Sequence, residues 1–479
     1  MLAVGSVPAT REMIDVRNPY DGALVGRVPN EDAAAVRRAL LAAEDGFRLN
    51  RMMPRHARAH ILEKTANLVE ADAEAFARLI ASESGKVLRA ARKEVGRCVN
   101  TLRLSADEAR RLSGEVLPFD SFPGSEHRTG FFRRDPIGVV VAITPFNDPL
   151  NLVAHKLGPA IASGNAVILK PSELAPMSAL RLVEAFRTTG LPEGIITVLT
   201  GKGAVIGPPL VSADSVRLVS FTGGFETAHA IKRSMGLARI SMDLGGNGAV
   251  IVLDDCDFDR AVTETVSGAF WAAGQNCISV QRVLVQREIF DRFAEAMAAK
   301  TRAMVVGDPL DETSDMGPMI TLEAAERAEA LINEACDRGA TVLAGAKREG
   351  SLLWPTVLKD VPADCHLACE EAFAPIVCID PIDTLADGIA RANATGYGIH
   401  AAIFTGSLDA ALTAADELEA GGVMINDSTD YRFDAMPFGG VKAGSLGREG
   451  VRFAVEEMTQ TKVICFNRRR PDPWGRSQE

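Results

Sequence analysis

Short, continuous runs of apolar residues alternate with amphipathic stretches along most of this chain. The run IGVVVAITPF occupies residues 137–146, and AVILK follows at 166–170 after a stretch with helical periodicity. Strands that are buried on both faces of a parallel sheet have this continuous apolar character, because the intervening helices cover both faces. The alternation therefore predicts an α/β fold with a parallel, doubly wound sheet. A second alternating series from about 246 to 445 predicts a second α/β domain.

The size and charge of the chain narrow its possible partners and location. The 479 residues are enough for two or three domains. The formal net charge of −11 argues against a nucleic-acid partner, since nucleic-acid-binding proteins present a basic surface. No apolar run approaches the roughly 18 residues that span a bilayer, and the start lacks the basic segment of a signal peptide. We therefore predict a cytoplasmic protein with no nucleic-acid or membrane partner.

Glycine-rich turns between a strand and a helix are candidate phosphate sites. GKGAVIG at 201–207 resembles the dinucleotide pattern GxGxxG, but its last glycine comes one residue late, and a plain strand-to-helix turn explains it equally well. SFTGGFETAHAIK has a strand, two glycines and a helix start, whose free N–H groups suit a phosphate. In ILKPSE, Lys170 ends a strand and Glu173 follows the turn. A carboxylate that accepts ribose hydroxyls favours NAD over NADP, and a solvated helix-capping carboxylate is the alternative.

Cys277 lies in the polar stretch WAAGQNCISVQRV at 271–283. A buried filler, a metal ligand and a nucleophile are the alternatives for this residue, and the stretch by itself leaves them open. The eight cysteines are thinly spread, which is typical of a reducing compartment. Cys365 and Cys369 lie beside His366, but no second pair of this kind occurs, so we predict no metal site.

Seven short motifs occur in an order that is more informative than any one of them. They are TPFNDPL, ILKPSELAP, FTGG, MDLGGN, GQNC, EEAFAP and MPFGGVKAGSLGREG. Together they resemble the signature motifs of the aldehyde dehydrogenase superfamily, over about residues 12–465. The resemblance implies a Rossmann-like cofactor domain, an α/β catalytic domain and a small β arm for oligomerisation, and hence a homodimer or homotetramer. We expect the cofactor domain at 1–115 and 137–245, the catalytic domain at 246–445, and the arm at 116–136 and 446–479.

The resemblance also implies a role for each matching residue. Cys277 would form a thiohemiacetal and then a thioester, and Asn147 would donate to the oxyanion together with the Cys277 N–H. Asp243 would activate the water that hydrolyses the thioester. NAD would accept the hydride, and NADP is the less favoured cofactor. The residues implied in cofactor binding are Thr144, Pro145, Phe146, Lys170, Pro171, Ser172, Glu173, Gly203, Phe221, Thr222, Gly223, Gly224, Leu244, Gly245, Glu371 and Phe373.

The chain departs from the family pattern at the implied base. The family has Glu before LGG, whereas MDLGGN supplies Asp243. The carboxylate is retained but pulled back by one methylene, about 1.5 Å, which matters for proton transfer. A backbone shift, a second water or an acyl acceptor other than water would each accommodate the change. Ala228 in FTGGFETA and the order of AGSLG at 443–447 are smaller departures.

The implied pocket residues favour a small anionic aldehyde as the substrate. The resemblance places Arg103, His155, Ile278, Ser279 and the segment NDSTDYRFDAM at 426–436, with Arg432, at the substrate. The pattern around NLVAHK is similar to phosphonoacetaldehyde dehydrogenases, and lactaldehyde dehydrogenases share parts of it. Aromatic residues form 5% of the chain, which favours a short polar pocket over a wide apolar channel. We expect a phosphonate first, then a sulfonate or carboxylate, held by Arg103, His155 and Arg432. A surface salt bridge or helix-end charge is the alternative for each of these three.

Other functions are also compatible with this sequence. Lactaldehyde, glyceraldehyde-3-phosphate and semialdehyde dehydrogenases share parts of the pattern. The altered base leaves open a CoA-acylating dehydrogenase, in which a thiol replaces water as the acyl acceptor. A catalytically silent NAD-binding member is the non-enzymatic alternative, and the intact Cys277, Asn147, Lys170 and Glu371 argue against it.

Overall fold

The fold begins with an antiparallel hairpin and a block of four helices. The computed structural model describes residues 12–468, so the predicted domain ends at 1–11 and 469–479 lie outside the described residues. The first elements are β1 (Met13–Arg17), β2 (Leu24–Pro29), α1 (Ala33–Asn50), α2 (Arg55–Ala71), α3 (Ala73–Ser84) and α4 (Leu88–Arg111). No helix within residues 12–468 is long and apolar enough to cross a membrane.

The next part of the chain contains two strands that pair in a different sheet, and the strands of a parallel sheet follow them. These two are β3 (Glu115–Leu117) and β4 (Arg128–Pro136). Strands and helices then alternate as β5 (Val139–Ile143), α5 (Asn151–Ser163), β6 (Ala166–Lys170), α6 (Met177–Thr188), β7 (Ile196–Val198), α7 (Gly203–Val211), β8 (Val216–Thr222), α8 (Phe225–Ser234) and β9 (Arg239–Asp243). The parallel strands have the order β9-β8-β5-β6-β7, so the winding reverses at β5. Open sheets of this kind bind ligands at the strand carboxyl ends beside such a reversal.

The side chains of β5 show why helices cover both faces of this sheet. Val140 and Ala142 pack in one core with helices α2 to α6, whereas Val139 and Val141 pack in another with α1, α7 and α8. Successive side chains of a strand point to opposite faces, so a strand between two helical layers must be apolar throughout. The predicted α/β fold class with parallel sheets is confirmed.

A second, larger sheet follows, with helices between its strands. Its elements are β10 (Gly248–Val252), α9 (Phe258–Phe270), β11 (Val280–Gln286), α10 (Phe290–Arg302), α11 (Leu322–Asp337), β12 (Thr341–Ala344), β13 (Arg348–Glu349), β14 (Leu352–Leu353), β15 (Thr356–Lys359), α12 (His366–Cys369), β16 (Ile376–Ile382), α13 (Leu385–Asn393), β17 (His400–Phe404), α14 (Leu408–Glu417) and β18 (Gly422–Ile425). The strand order is β12-β15-β16-β11-β10-β17-β18, and β12 at the edge is the antiparallel member. Strands β13 and β14 pair separately.

The end of the described chain returns to earlier strands. The last elements are β19 (Ser445–Leu446), α15 (Val451–Glu457) and β20 (Thr459–Asn467). Strand β19 pairs with β9, which sets Ser445 opposite Asp243. Strand β20 runs antiparallel along all of β4, and β3 pairs with the other edge of β4. These three strands come from the segments assigned to an arm, while the domain boundaries and the arm's role in oligomerisation stay predictions.

Candidate active site

One cavity of about 570 Å³ brings together the three residues that the sequence implied as catalytic, namely Asn147, Asp243 and Cys277. The turns after β5, β8 and β9 form part of its wall, as expected for the strand ends of a parallel sheet. Nine of the implied cofactor residues also line this cavity: Pro145, Phe146, Thr222, Gly223, Gly224, Leu244, Gly245, Glu371 and Phe373.

The loop that carries Cys277 has a constrained backbone. Ala272 and Ala273 have φ values of 51° and 56°, in the left-handed region that costs a non-glycine residue about 1–2 kcal/mol. Gly246 packs against the loop so closely that a Cβ there would lie 2.0 Å from the Cys277 carbonyl oxygen. Burial, followed by the carboxylates of Asp243 and Glu371, raises the pKa of the Cys277 thiol. The resting cysteine is therefore a thiol, and it must lose its proton before it can attack.

Buried ion pairs fix the turn that carries Asn147. Its neighbour Asp148 pairs with Lys86, and the Asp148 Oδ2 lies 3.2 Å from Nη1 of Arg97. The Lys86 Nζ also lies 2.5 Å from Oε2 of Glu94, and both side chains are 2% exposed. The other Glu94 oxygen accepts from the first N–H groups of α5 at 2.8 and 3.1 Å. Helix α4 thus holds the turn and the start of α5 together, so the Asn147 amide is positioned before any substrate arrives.

Asp243 belongs to a buried cluster of two carboxyl groups and two cations. Glu449 accepts hydrogen bonds from Lys156 Nζ at 3.0 Å, Thr222 Oγ1 at 3.2 Å and Arg432 Nη2 at 3.0 Å. Burial, followed by the Glu449 carboxylate, raises the pKa of Asp243 well above its ordinary value. Burial acts in the same sense on Glu449, but Lys156 and Arg432 outweigh it and hold the Glu449 pKa well below its ordinary value. A proton in this cluster is therefore held more strongly by Asp243 than by Glu449.

Two of the five implied substrate residues, Ile278 and Arg432, line the cavity. The Arg432 side chain is 7% exposed, its guanidinium carbon lies 3.7 Å from the Phe438 ring centroid, and its Nε has no hydrogen-bond partner among residues 12–468. Ile278 packs with Phe438 beside Cys277. Arg432 is therefore a buried cation with unused donor capacity close to the nucleophile.

The structure places the other three residues outside the cavity wall. Arg103 points away from the cavity on α4, where its Nη2 pairs with Oε2 of Glu70 at 2.6 Å and its side chain is 46% exposed. His155 is fully buried behind the wall with its Nε2 3.1 Å from Asp434 Oδ1, and burial lowers its pKa, so it is neutral. Ser279 Oγ donates to backbone carbonyls of α9 at 3.1 and 3.2 Å. None of the three lines the cavity.

The other implied cofactor residues lie outside this cavity, on or beside strand ends and the start of α7. They are Thr144, Lys170, Pro171, Ser172, Glu173, Gly203 and Phe221. The Glu173 Oε2 accepts from the Gly203 N–H at 3.3 Å and lies 4.0 Å from Lys170 Nζ. Phe221 is a core residue whose ring packs under Gly223. Lys170 and Glu173 are thus held together beyond the turns that face the cavity.

Several wall residues had no signal in the sequence that we could interpret. Arg97 lines the cavity and lies six residues before the outward-facing Arg103 on the same helix. Lys156 and Glu449 complete the Asp243 cluster from distant parts of the chain. The wall also contains Lys93, Glu264 and Trp271. Asp427, Asp430 and Tyr431 line it too, and they belong to the segment NDSTDYRFDAM that the resemblance placed at the substrate.

Comparisons with known proteins identify the family of this chain. The model of the family described as "Aldehyde dehydrogenase family" matches residues 7–464. The chain belongs to the aldehyde dehydrogenase family. It is 56% identical to aspartate-semialdehyde dehydrogenase 1 of Pseudomonas canavaninivorans, over 95% of this chain and 96% of that protein. It is 42% identical to 3-sulfolactaldehyde dehydrogenase of Priestia megaterium, over 97% of each. Glyceraldehyde-3-phosphate dehydrogenase GapN from Methanocaldococcus jannaschii, solved with NADP, superposes with a TM-score of 0.92 at 39% identity, covering 96% of this chain and 100% of GapN.

Aldehyde dehydrogenases use NAD(P), and the residues present here fit such a cofactor. Gly224 precedes α8, and a Cβ built on it meets nothing within 4 Å, so the helix start is open to a phosphate. The rings of Phe146 and Phe373 meet edge to face with centroids 5.9 Å apart on the wall that includes Cys277. Glu371 and the Phe pair would hold the nicotinamide riboside, and Lys170 and Glu173 the adenosine ribose.

Proposed function

We propose that this aldehyde dehydrogenase oxidises a small aldehyde carrying one anionic group to the carboxylic acid, with NAD as the preferred cofactor. In the balanced reaction, RCHO + NAD⁺ + H₂O gives RCOO⁻ + NADH + 2H⁺. The observation that carries the proposal is that Arg432 shares one cavity with Cys277, Asn147 and Asp243. Buried cations without a full set of acceptors bind anions strongly, because the alternative leaves the charge undersatisfied.

The charge of the Asp243 cluster favours a singly charged substrate. Lys156 and Arg432 contribute two positive charges, and Glu449 contributes one negative charge while Asp243 is protonated. The surplus of one positive charge suits a carboxylate or sulfonate. The prediction of a phosphonate substrate required Arg103 and His155 as additional binding residues, and neither of them lines the cavity. The names of the two relatives, aspartate-semialdehyde and 3-sulfolactaldehyde dehydrogenase, support substrates with a carboxylate or a sulfonate.

The first half of the reaction uses Cys277 and Asn147. Cys277 gives up its proton to water, and its Sγ then bonds to the aldehyde carbon. The carbonyl oxygen becomes an oxyanion and receives hydrogen bonds from the Asn147 amide and the Cys277 N–H. NAD(P)⁺ supplies the hydride acceptor. Loss of hydride from the same carbon restores the carbonyl and leaves a thioester on Cys277.

The second half uses Asp243 as a general base. An ionised Asp243 accepts a proton from water as the water oxygen attacks the thioester carbon, and the C–S bond breaks to release the acid and the Cys277 thiolate. Burial raises the pKa of Asp243, so this carboxylate is a stronger base than a free aspartate. Asp243 must lose its resting proton before it acts as the base, and Glu449, with which it shares a hydrogen bond, is the carboxylate beside it. Asp243 is one methylene shorter than the glutamate of the family pattern, but its buried surroundings make its carboxylate more basic.

The cofactor preference rests on Glu173. Its carboxylate is fixed by the Gly203 N–H at 3.3 Å and would repel a 2′-phosphate, which supports NAD. GapN was solved with NADP, so the two cofactors must be compared directly. The sheet of β3, β4 and β20 supports assembly as a homodimer or homotetramer, which light scattering tests. Cell fractionation tests the proposed cytoplasmic location.

A panel of aldehydes tests the proposed function. We expect kcat/KM with NAD to be higher for succinic semialdehyde and 3-sulfolactaldehyde than for butanal and lactaldehyde, since only the former pair carries an anion. Phosphonoacetaldehyde should be poorer than either anion because of its second charge. Equal values for neutral and anionic aldehydes would refute the anion proposal, and faster turnover with added CoA would show that water is not the acyl acceptor.

A further inference from the structure

The wall of the active-site cavity has a second charged region that the oxidation of a simple anion does not use. Glu264 of α9 lines it together with Asp427 and Asp430 from the segment after β18. Lys93 also lines this region of the wall, and its Nζ lies 4.8 Å from the centroid of the Trp271 ring. Within residues 12–468, Glu264, Asp427 and Asp430 form no ion pair. This region therefore has a surplus of negative charge.

Asp430 is the most constrained of the three carboxylates. It is packed against α9, because a Cβ on Gly268 would lie 2.9 Å from Asp430 Oδ1. Burial raises the pKa of Asp430, and the Ser428 hydroxyl and then the charge of Lys93 offset this effect only in part. Within residues 12–468 Lys93 makes no direct ion pair with Asp430, so the charge of this carboxylate is compensated only in part, and a cationic ligand group would complete the compensation.

The residue that would bind an anion and the residue that would bind a cation lie in one short segment of the chain. Asp430 and Arg432 are two residues apart, so their Cα atoms are separated by at most about 7 Å. Arg432 is the buried cation with an unpartnered Nε on the same cavity wall. A ligand that satisfies both must present a negative and a positive group close to each other. An α-amino-acid group does so, since its carboxylate and ammonium share one carbon atom.

We propose that the segment 427–432 recognises an α-amino-acid group, with Arg432 binding the carboxylate and Asp430 the ammonium, so that the substrate is an amino-acid semialdehyde. This inference rests on the proposed oxidation of an anionic aldehyde and makes its substrate class narrower. The carboxylates Glu264 and Asp427 keep the outer wall negative and so favour the ammonium over a neutral group.

Two aldehydes that differ by one ammonium group test the proposal on the full-length enzyme. L-Aspartate 4-semialdehyde and succinic semialdehyde have the same carbon chain and the same carboxylate. We expect kcat/KM for the amino compound to be at least about tenfold higher, because the partly buried Asp430 carboxylate then gains an ammonium partner. In Asp430→Asn this preference should fall at least about tenfold through a higher KM for the amino compound, with succinic semialdehyde unaffected or improved. Asp427→Asn should reduce the preference in the same direction but less.

Controls separate this inference from the function on which it rests. Asp416→Asn removes an exposed carboxylate of α14 and should leave both values unchanged. A wild-type enzyme that prefers succinic semialdehyde, or an Asp430→Asn variant that loses activity equally on both compounds, would overturn the ammonium site while leaving the anion proposal intact. If butanal is oxidised as well as succinic semialdehyde, the proposed function itself fails.

Discussion

Replacing Arg432 with methionine should remove the substrate's anion site while keeping the packing of the wall. Methionine has a similar length and can still cover the Phe438 ring, which the guanidinium carbon contacts at 3.7 Å. Glu449 retains its bonds from Lys156 at 3.0 Å and Thr222 at 3.2 Å, so one of its three donors is lost. The variant should therefore fold, and its defect should lie in substrate binding and in the protonation of Asp243.

The size of the effect follows from the burial of Arg432. At 7% exposure its hydrogen bond to a substrate anion is shielded from water, and such charge-assisted bonds contribute about 1.5–3 kcal/mol. This corresponds to a fall of about 10- to 150-fold in kcat/KM for succinic semialdehyde. The guanidinium also favours the ionised form of Asp243, so its removal raises that pKa further. Because Asp243 must be ionised to act as a base, the rising limb of the pH profile should move to higher pH.

The assay is steady-state NADH formation from succinic semialdehyde and from butanal, across a range of pH. Arg103→Met is the matched control, because Arg103 lies on the surface in a pair with Glu70 and should give wild-type values. We expect the ratio of the two kcat/KM values to collapse in Arg432→Met alone. An equal loss for the charged and neutral aldehydes at the pH optimum of the variant would refute the role of Arg432 in anion binding.

Three further perturbations test other parts of the site. Glu173→Gln should raise kcat/KM with NADP relative to NAD, by about tenfold, since the repelling carboxylate is lost, and an unchanged ratio would remove Glu173 from cofactor selection. Burial raises the pKa of Glu371 to about 7, so the KM for NAD should rise as pH falls through this value and the acceptor becomes protonated, whereas Glu371→Gln should show a flat profile over the same range. Lys86→Met leaves Glu94 and Asp148 without their shared cation and should destabilise the protein by about 3–5 kcal/mol, seen as a large fall in Tm. The surface change Lys359→Met is its control and should leave Tm nearly unchanged.

The buried strands could be predicted because their physical cause is local. A strand between two helical layers must be apolar on both faces, so runs such as VVVAI and AVILK identify β5 and β6 without any knowledge of the rest of the chain. The order of the seven motifs likewise identified the family. The positions of Asn147, Asp243 and Cys277 in one cavity agree with roles that the resemblance implied.

The charged residues of the wall could not be chosen from the sequence. Arg97 and Arg103 are both on α4, and six residues correspond to about 600° of rotation, so they face different directions. Helical periodicity did not show which of the two faces the cavity. The pairing of Asp243 with Glu449 and Lys156 depends on the sheet bringing together segments more than eighty residues apart, for which no local pattern exists. The contact of His155 with Asp434 is of the same kind, because Asp434 lies far along the chain.

A trapped acyl-enzyme tests the central claim, that Cys277 carries the acyl group and Asp243 is needed to release it. Asp243→Asn should be mixed with NAD and succinic semialdehyde, and examined by rapid NADH detection and by mass spectrometry of the intact protein and its peptides. We predict a stoichiometric burst of NADH, a subsequent stall, and an acyl adduct on the peptide containing Cys277. Cys369→Ser in the same background should retain the adduct, since Cys369 is an exposed cysteine outside the cavity. Steady turnover without a stall, or an adduct on any other cysteine, would contradict the mechanism.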